Sequence, residues 1–294
     1  MGHIGDGLRT REETIPRMST VWLEAVLEEL WRVRGLDLSN YRRATLEHRL
    51  AAWMVRLRLQ DPGECLERLR SDPSECDRLI EAIMIKVSSC FRDPLVFELL
   101  AHRVLPLIME RGRRQHTRQI RVWSAGCAAG EEAYSVAILL ALAVEDADFP
   151  WLPYICATDV SPRALAAAQT GRYCRESLKT TQLGVLDRFF RPAAEGFEVI
   201  PEIRRMVHFS RDDLTSRQSL APADSVFGSF DLVLCRNVLI YFSLELQKKV
   251  LEKLCRALNP GGVLVIGTSE SLPREMESRL TAIDRPHRIF QKPG

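Results

Sequence analysis

The residues best placed to do chemistry fall between Ile120 and Val144, in the stretch IRVWSAGCAAGEEAYSVAILLALAV. Gly126 and Gly130 bracket a run of small residues, and two carboxylates, Glu131 and Glu132, follow at once. Glycine permits positive φ and lets a backbone come close to a ligand. Three residues separate the two glycines, so this is not the G-x-G-x-x-G of a dinucleotide fingerprint. A phosphate would also meet the like charge of Glu131. A ligand with a cationic group, such as the ammonium or sulfonium of S-adenosylmethionine, suits the turn better. As a plain strand–helix turn the stretch would bind nothing, and residues further along the chain count against that.

Tyr154–Thr158 (YICAT) has the pattern of a strand, and Asp159 at its tip is placed to accept both hydroxyls of a ribose. The alternative is structural: Asp159 or Ser161 could cap the helix that starts at Pro162. Arg211-Asp212-Asp213-Leu214 follows a strand at Val207–Ser210, and ligands of open α/β sheets bind at such strand ends. Phe230–Phe242 (FDLVLCRNVLIYF) opens with an apolar run fit for a buried central strand. It delivers Arg236, Asn237 and Tyr241 to the edge of the cleft. The loop Lys86-Val87-Ser88-Ser89-Cys90-Phe91-Arg92-Asp93 precedes a helix restarted at Pro94, and its cations could reach over a ligand.

In the first third of the chain, Arg42, Arg49 and Arg56 stand seven apart, bordering an apolar arc of Leu46, Leu50, Trp53, Met54 and Leu57. Their stems could simply cover the edge of the core. Alternatively, the row of guanidinium groups could dock an acidic partner helix.

Elements follow from these positions. Ile120, Val122 and Trp123 make a buried strand, and the alanine-rich run from Tyr134 makes a helix buried on most sides, together the first unit of a nucleotide-binding α/β domain. Residues 18–110 are expected to form an all-helical domain. Gly35 should close its first helix, Ser39 or Asn40 should cap the second, and further helices run over Cys65–Leu69 and Leu79–Val87. The polar run 111–119 reads as a linker into an α/β domain over 120–294, and residues 1–17 as a disordered tail. Between about 172 and 206, Leu186–Phe190 and Phe197–Ile200 flank a polar turn, which predicts a small antiparallel insert. Ser243 should cap a helix, Val263–Gly267 should form a further strand, and Arg288–Lys292 a last, antiparallel edge strand.

Composition narrows the class. With 294 residues, 46% hydrophobic and 27% charged, the chain has the make-up of a soluble globular protein. A net charge of +2 gives no bulk attraction to nucleic acid or an anionic membrane. Eight cysteines without a C-x-x-C pair read as small buried hydrophobes of a reducing compartment. No apolar run is long enough to span a bilayer and no signal peptide is evident, so a cytoplasmic enzyme is expected. The histidines are isolated, and no metal-ligand cluster or Ser-His-Asp set competes with a cofactor-based reaction.

Taken together, Phe91-Arg92, SAGCAAGEEAYSVA, ATDVSPRALAAAQTGRY, FDLVLCRNVLIYF and GTSESL (267–272) resemble the chemotaxis receptor glutamate O-methyltransferases, the CheR family. The resemblance runs in order over residues 20–292. It implies a Rossmann-like S-adenosylmethionine-dependent methyltransferase domain of the α/β class, with an N-terminal all-helical domain and a small antiparallel β insert. It puts Arg92 and Tyr241 at the reaction centre, Glu131 at the methionine end of the cofactor and Asp159 on its ribose. Asp213 with Leu214, and Arg236 with Asn237, would line the adenosyl pocket, and positions 86 and 88 precede the reactive arginine. Against the family pattern, Lys86 stands where Asn is usual, Ser88 where Thr is common, Cys90 where Phe is common and Ala133 where Pro is typical. Ser88 keeps a hydroxyl, and the Lys86 ammonium could pair with the cofactor carboxylate.

The implied reaction is methyl transfer from S-adenosyl-L-methionine, leaving S-adenosyl-L-homocysteine, to glutamate carboxylates on chemoreceptor cytoplasmic helices. Such a carboxyl, with a reference pKa of about 4.3, is already an ionised nucleophile at neutral pH. It needs alignment more than a general base, and positioning alone can be worth about 7 kcal/mol or more. Arg92 could hold the carboxylate while Tyr241 sets its angle, and the arginine row at 42, 49 and 56 would face the receptor. A monomer with no nucleic-acid partner and no membrane insertion is expected. The rival classes are a methyltransferase for another protein, an RNA or a small molecule, and a non-catalytic module that binds the cofactor. The near-neutral charge and the absence of an Asn/Asp-Pro-Pro-aromatic motif count against the nucleic-acid case.

Overall fold

The computed structural model describes residues 20–59, 61–84, 88–145, 147–216, 222 and 229–294; the predicted N-terminal tail and Lys86 lie outside the described residues. The chain forms two compact units, residues 1–85 and 86–294.

In the first unit, α1 (Thr20–Arg34) closes on Gly35, whose φ of +65° lets its N–H donate to the Trp31 carbonyl at 2.7 Å. α3 (Pro62–Ser71) and α4 (Pro73–Ile83) each begin with Asp-Pro, and the Asp61 and Asp72 carboxylates accept from Gly63 N and Ser74 N. Neither Ser39 nor Asn40 caps α2 (Arg43–Arg56), which starts after an extended Arg42 with no side-chain cap. Leu36 and Leu38 are buried, so the preceding segment is drawn into the core and the helix starts later than the cap residues suggest. The arc Leu46, Leu50, Trp53 and Met54 is buried as expected. Arg42 and Arg56 are exposed, whereas Arg49 is half-buried and its Nη1 donates to the Ile83 carbonyl at the end of α4.

The second unit begins earlier than the sequence suggests. α5 (Pro94–Leu99), a π-helical turn (Leu100–Val104) and α6 (Leu105–Arg114) form one helical stretch. Its Val96, Phe97, Leu100, Val104, Leu105 and Ile108 belong to the core of the α/β unit. This helix therefore leaves the helical domain, and residues 111–114 are its last turn rather than a linker. Their polarity reflects basic residues at a helix C-terminus, where the dipole favours them.

The described residues hold a seven-stranded sheet. Its strands are β1 (Gln119–Ala125), β2 (Leu152–Asp159), β6 (Val207–Arg211), β7 (Phe230–Cys235), β8 (Leu258–Ile266), β9 (Thr281–Asp284) and β10 (Ile289–Gln291), in the order β6-β2-β1-β7-β8-β10-β9. The first five are mutually parallel, and every residue of β7 is buried, as befits a strand covered on both faces. β10 is antiparallel to both neighbours and is not the edge: the short, half-buried β9 lies outside it. Between β2 and β6, β3 (Arg172–Tyr173), β4 (Phe190–Ala193) and β5 (Gly196–Val199) make the expected small antiparallel sheet. Its hairpin is shorter than predicted, because Leu183–Phe189 is helical (α9) and turns Phe189 into the core.

Helices α7 (Glu131–Glu145), α8 (Pro162–Thr170), α10 (Pro201–Arg204), α11 (Leu244–Ala257) and α12 (Arg274–Glu277) complete the unit. No helix among the described residues is long and apolar enough to cross a membrane. Six of the eight cysteines are buried, with Cys174 exposed and Cys255 half-buried.

Asp231 on β7 joins α6 to the sheet. Its Oδ1 accepts from Arg111 on α6 and from Asn259 Nδ2 on β8 (2.9 Å), and its Oδ2 accepts from the Arg121 backbone N–H (2.8 Å). Removing one partner of a buried ion pair leaves the other charge uncompensated. Asp231→Ala is expected to lower the stability of this unit by about 3 kcal/mol, read from the denaturation midpoint. A loss below about 1 kcal/mol would mean that Arg111 is solvated well enough without it.

Candidate functional site

Because β6, β2, β1, β7 and β8 run parallel, their C-terminal ends share one edge of the sheet. That edge receives Gly126 after β1, Asp159 on β2, Asp212 to Leu214 after β6, Arg236 and Asn237 after β7, and Gly267 after β8. The residues singled out along the α/β sequence are thus gathered at one place.

The β1 turn is built by backbone geometry. Gly126, Ala128 and Gly130 all have positive φ (+77°, +49° and +89°). Gly126 N and Cys127 N both donate to the Thr158 carbonyl, at 2.8 and 2.9 Å. A Cβ on Gly126 would come 2.5 Å from Val238 Cγ2, so the turn also packs against the segment that follows β7. Asp159 accepts from Ala128 N through Oδ2 and from Ser161 N through Oδ1, each at 2.9 Å. Ser161 is the α8 cap, accepting from Ala164 N, so Asp159 keeps its place at the strand tip with its carboxylate aimed by two amides.

Charge is buried along this edge. Glu131, the first residue of α7, is 5% exposed, and its Oε2 has no hydrogen-bond partner among the described residues. Burial pushes its carboxyl above the ordinary glutamate range, opposed by hydrogen bonds that include one from the Ser88 hydroxyl. Glu132 is also raised by burial; its Oε1 accepts from Ser124 Oγ at 2.8 Å and its Oε2 from Arg236 Nη1 at 3.4 Å. Arg236 itself is almost fully buried, with Nη2 on the Arg92 carbonyl (2.9 Å) and Asp93 Oδ2 (2.7 Å), and its guanidinium lies 5.4 Å from the Phe97 ring centre. Its two terminal nitrogens are thus committed to protein partners, while its Nε has none among the described residues.

The Arg92 turn is held from several sides. Phe91 and Asp93, on either side of Arg92, have φ of +55° and +59°, a conformation that costs L-residues roughly 1–2 kcal/mol each. Phe91 N donates to Ser135 Oγ (2.9 Å), and Ser135 in turn donates to the Glu131 carbonyl. Cys90 N donates to the Ser177 carbonyl (2.8 Å), and Thr180 Oγ1 donates to the Cys90 carbonyl (2.6 Å).

Two residues with positioning roles are absent from the sequence-based set. Glu270 accepts from Gly267 N (2.6 Å), Asn237 N (3.2 Å) and Ile240 N (3.2 Å), which fixes the loop leading to Tyr241 against the end of β8. Lys253 on α11 is buried and donates to Asp212 Oδ2 and the Asp213 carbonyl, both at 3.3 Å. The Asp213 carboxylate accepts from Thr215 N and Oγ1, and Leu214 is buried beside it. Both missed residues had a signal: Lys253 falls on the apolar face of its helix, three residues after Val250, and Glu270 follows a strand end. Tyr241 is half-buried in a 3₁₀ turn, Leu239–Tyr241.

A buried carboxylate oxygen without a partner is costly, and a bound ammonium is a group that would satisfy it. Glu131 therefore fits the cationic end of S-adenosylmethionine. A raised carboxylate pKa means that the folded, cofactor-free protein holds this proton more tightly than the unfolded chain. Its stability is accordingly highest below the ordinary glutamate range and falls as pH rises through the raised value. Glu131→Gln should leave the pH 7 melting temperature of the cofactor-free protein unchanged or higher, while weakening S-adenosylmethionine binding about tenfold or more. The acid-side loss of affinity, which in the parent protein begins above the titration of an exposed glutamate, should disappear. Calorimetry from pH 5 to 8 tests this; parental affinity in the variant would show that the ammonium does not rest on Glu131.

Residues 22–84 match the CheR methyltransferase all-alpha domain, and residues 86–289 match the CheR methyltransferase SAM binding domain. The chemotaxis protein methyltransferase of Listeria innocua is 34% identical over 240 residues, covering 81% of this chain and 85% of that protein. That of Salmonella typhimurium is 31% identical over 271 residues, covering 89% and 88%. An uncharacterized 104.1 kDa protein of Rhodobacter capsulatus is 35% identical over 275 residues, which is 92% of this chain but 28% of the other, so the chain spans little more than a quarter of that relative. The two matched domains follow one another in order and meet where the chain divides into its two units, and the chain belongs to the CheR methyltransferase family.

Proposed function

We propose that this protein transfers the methyl group of S-adenosylmethionine to glutamate side chains of methyl-accepting chemoreceptors, forming methyl esters that adjust a chemosensory response. The observation that carries this is the unpartnered, buried Glu131 oxygen at a strand-end edge where Asp159 is aimed by two amides. When bound, S-adenosylmethionine supplies a methyl group activated by its sulfonium charge. Glu131 would hold the cofactor's ammonium and Asp159 its ribose hydroxyls. Ser88, Gly126, Asp213, Leu214 and Asn237 would shape the rest of the pocket, with Arg236 bracing it from behind; Lys86 lies outside the described residues.

The substrate glutamate is ionised at neutral pH, so the chain's task is to hold and aim it while excluding water. Arg92 would pair with the carboxylate and Tyr241 would fix its approach. On the helical domain, Arg42 and Arg56 are exposed guanidinium groups suited to glutamate-rich receptor helices. Arg49 belongs to the same row, but its bond to the Ile83 carbonyl gives it a structural task as well.

Labelled methyl groups should pass from S-adenosylmethionine to a receptor cytoplasmic fragment and be released as methanol by mild base. Base-stable label would indicate N-methylation and sink the ester proposal. Arg92→Ala should lower kcat by about 10²-fold with the cofactor Kd nearly unchanged, as for loss of a group that acts on the reacting atoms.

Reversing Arg42 and Arg56 together to Glu, with Arg49 left in place, should raise the receptor KM severalfold while cofactor affinity and melting temperature hold. Added salt should weaken the parent in the same direction, because exposed charges are screened beyond about 10 Å at 0.1 M. An unchanged KM in the double variant would make the row a solvated face.

A further inference from the structure

We infer that Arg236 is a positioning residue for methyl transfer, acting on Arg92 through the backbone of its turn rather than on the cofactor; this rests on the role proposed above for Arg92. Arg92 sits between two left-handed residues, Phe91 and Asp93, and such a conformation persists only where neighbours over-determine it. The Phe91 side is held by the Ser135 hydroxyl on α7. The Asp93 side is held by Arg236: one nitrogen, Nη2, bridges the Arg92 carbonyl at 2.9 Å and Asp93 Oδ2 at 2.7 Å. The other terminal nitrogen reaches Glu132 Oε2 at 3.4 Å, and Glu132 is fixed in turn by Ser124 on β1. The flat face of the guanidinium is backed by the Phe97 ring.

The fork thus ties the Arg92 turn to β7, to β1 and to the helix that carries Glu131, so the Arg92 guanidinium and the Glu131 carboxylate share one frame. Stability alone does not account for this arrangement. A buried ion pair contributes little net free energy compared with apolar packing of the same volume, and is better explained by the geometry it imposes. A point charge could not replace it, since only a planar fork addresses a carbonyl and two carboxylates in fixed directions.

The test is a double-mutant cycle between Arg236→Lys and Arg92→Ala, with single-turnover methyl transfer, S-adenosylmethionine Kd and melting temperature measured for each protein. Arg236→Lys keeps the charge and loses the fork. It is expected to lower kcat about tenfold or more while the cofactor Kd changes by less than about threefold. In the Arg92→Ala background the same change should alter kcat by less than about twofold, because nothing is left to position. A residue that merely supports the fold, or one that binds the cofactor directly, would give additive losses or a raised Kd in both backgrounds, and either result overturns the inference. If Arg236→Lys does not fold, Asp93→Ala removes one of the two groups bridged by Nη2 from the more exposed side. The same non-additive pattern is then expected, and additivity again overturns it. Full activity in Arg92→Ala would overturn the role of Arg92 and this inference together, whereas additive losses overturn this inference alone.

Discussion

Charge buried at the carboxyl edge of the parallel sheet is the constraint that the rest of the second unit answers to. Glu131, Arg236, Lys253 and Glu270 are all buried there, and a buried charge is tolerated only when it is paired or richly hydrogen-bonded. Each strand end supplies part of the answer: β1 gives the Ser124 hydroxyl, the loop after β6 gives Asp212, and the turns after β7 and β8 give the amides that Glu270 collects. Among the described residues, what is left over after this mutual satisfaction is one oxygen of Glu131 and the Nε of Arg236. The reading of this edge as a cofactor site turns on the Glu131 oxygen.

Backbone strain gathers at the same edge. Phe91, Asp93, Ala128 and Asn237 are non-glycine residues with positive φ, and each belongs to a turn at or over the strand ends. Left-handed backbone is sustained where surroundings over-determine it, which the ladder-bound strands beneath and the fixed carboxylates around it provide. Rigidity of this kind suits a reaction whose barrier is lowered by alignment rather than by proton transfer.

Much of this was legible in the chain because it is written in local terms. Apolar runs gave the strands, Asp93-Pro94 gave a helix start, and the small-residue turn followed by Glu131 gave the site. The misreadings share a cause: they depend on partners far away in sequence. Arg111 looked like linker because its ion pair lies 120 residues on, at Asp231. Leu186–Phe190 was apolar enough for a strand, and only packing of Phe189 into the core settles a helix for its first part. β9 is one exposed and three half-buried residues with no strong alternation, so β10 looked like the edge. A lone lysine or glutamate has no local signature of the carbonyl and amides it will meet, which is why Lys253 and Glu270 stayed hidden while the pocket they brace did not.

Cys90 has both of its backbone groups committed to the segment after β3: its amide to the Ser177 carbonyl, its carbonyl to the Thr180 hydroxyl. Local opening in a folded protein proceeds by cooperative units, and a unit is defined by the bonds that must break together. By that criterion the small antiparallel sheet with its flanking turns and the segment leading into Arg92 are one unit, although more than eighty residues of chain, including β1 and β2 of the large sheet, separate them in sequence. Hydrogen exchange at Cys90 then reports on the insert, and a fluctuation that loosens residues 177–180 also releases the backbone two residues before Arg92. The insert is, in this sense, part of what holds the Arg92 turn in place.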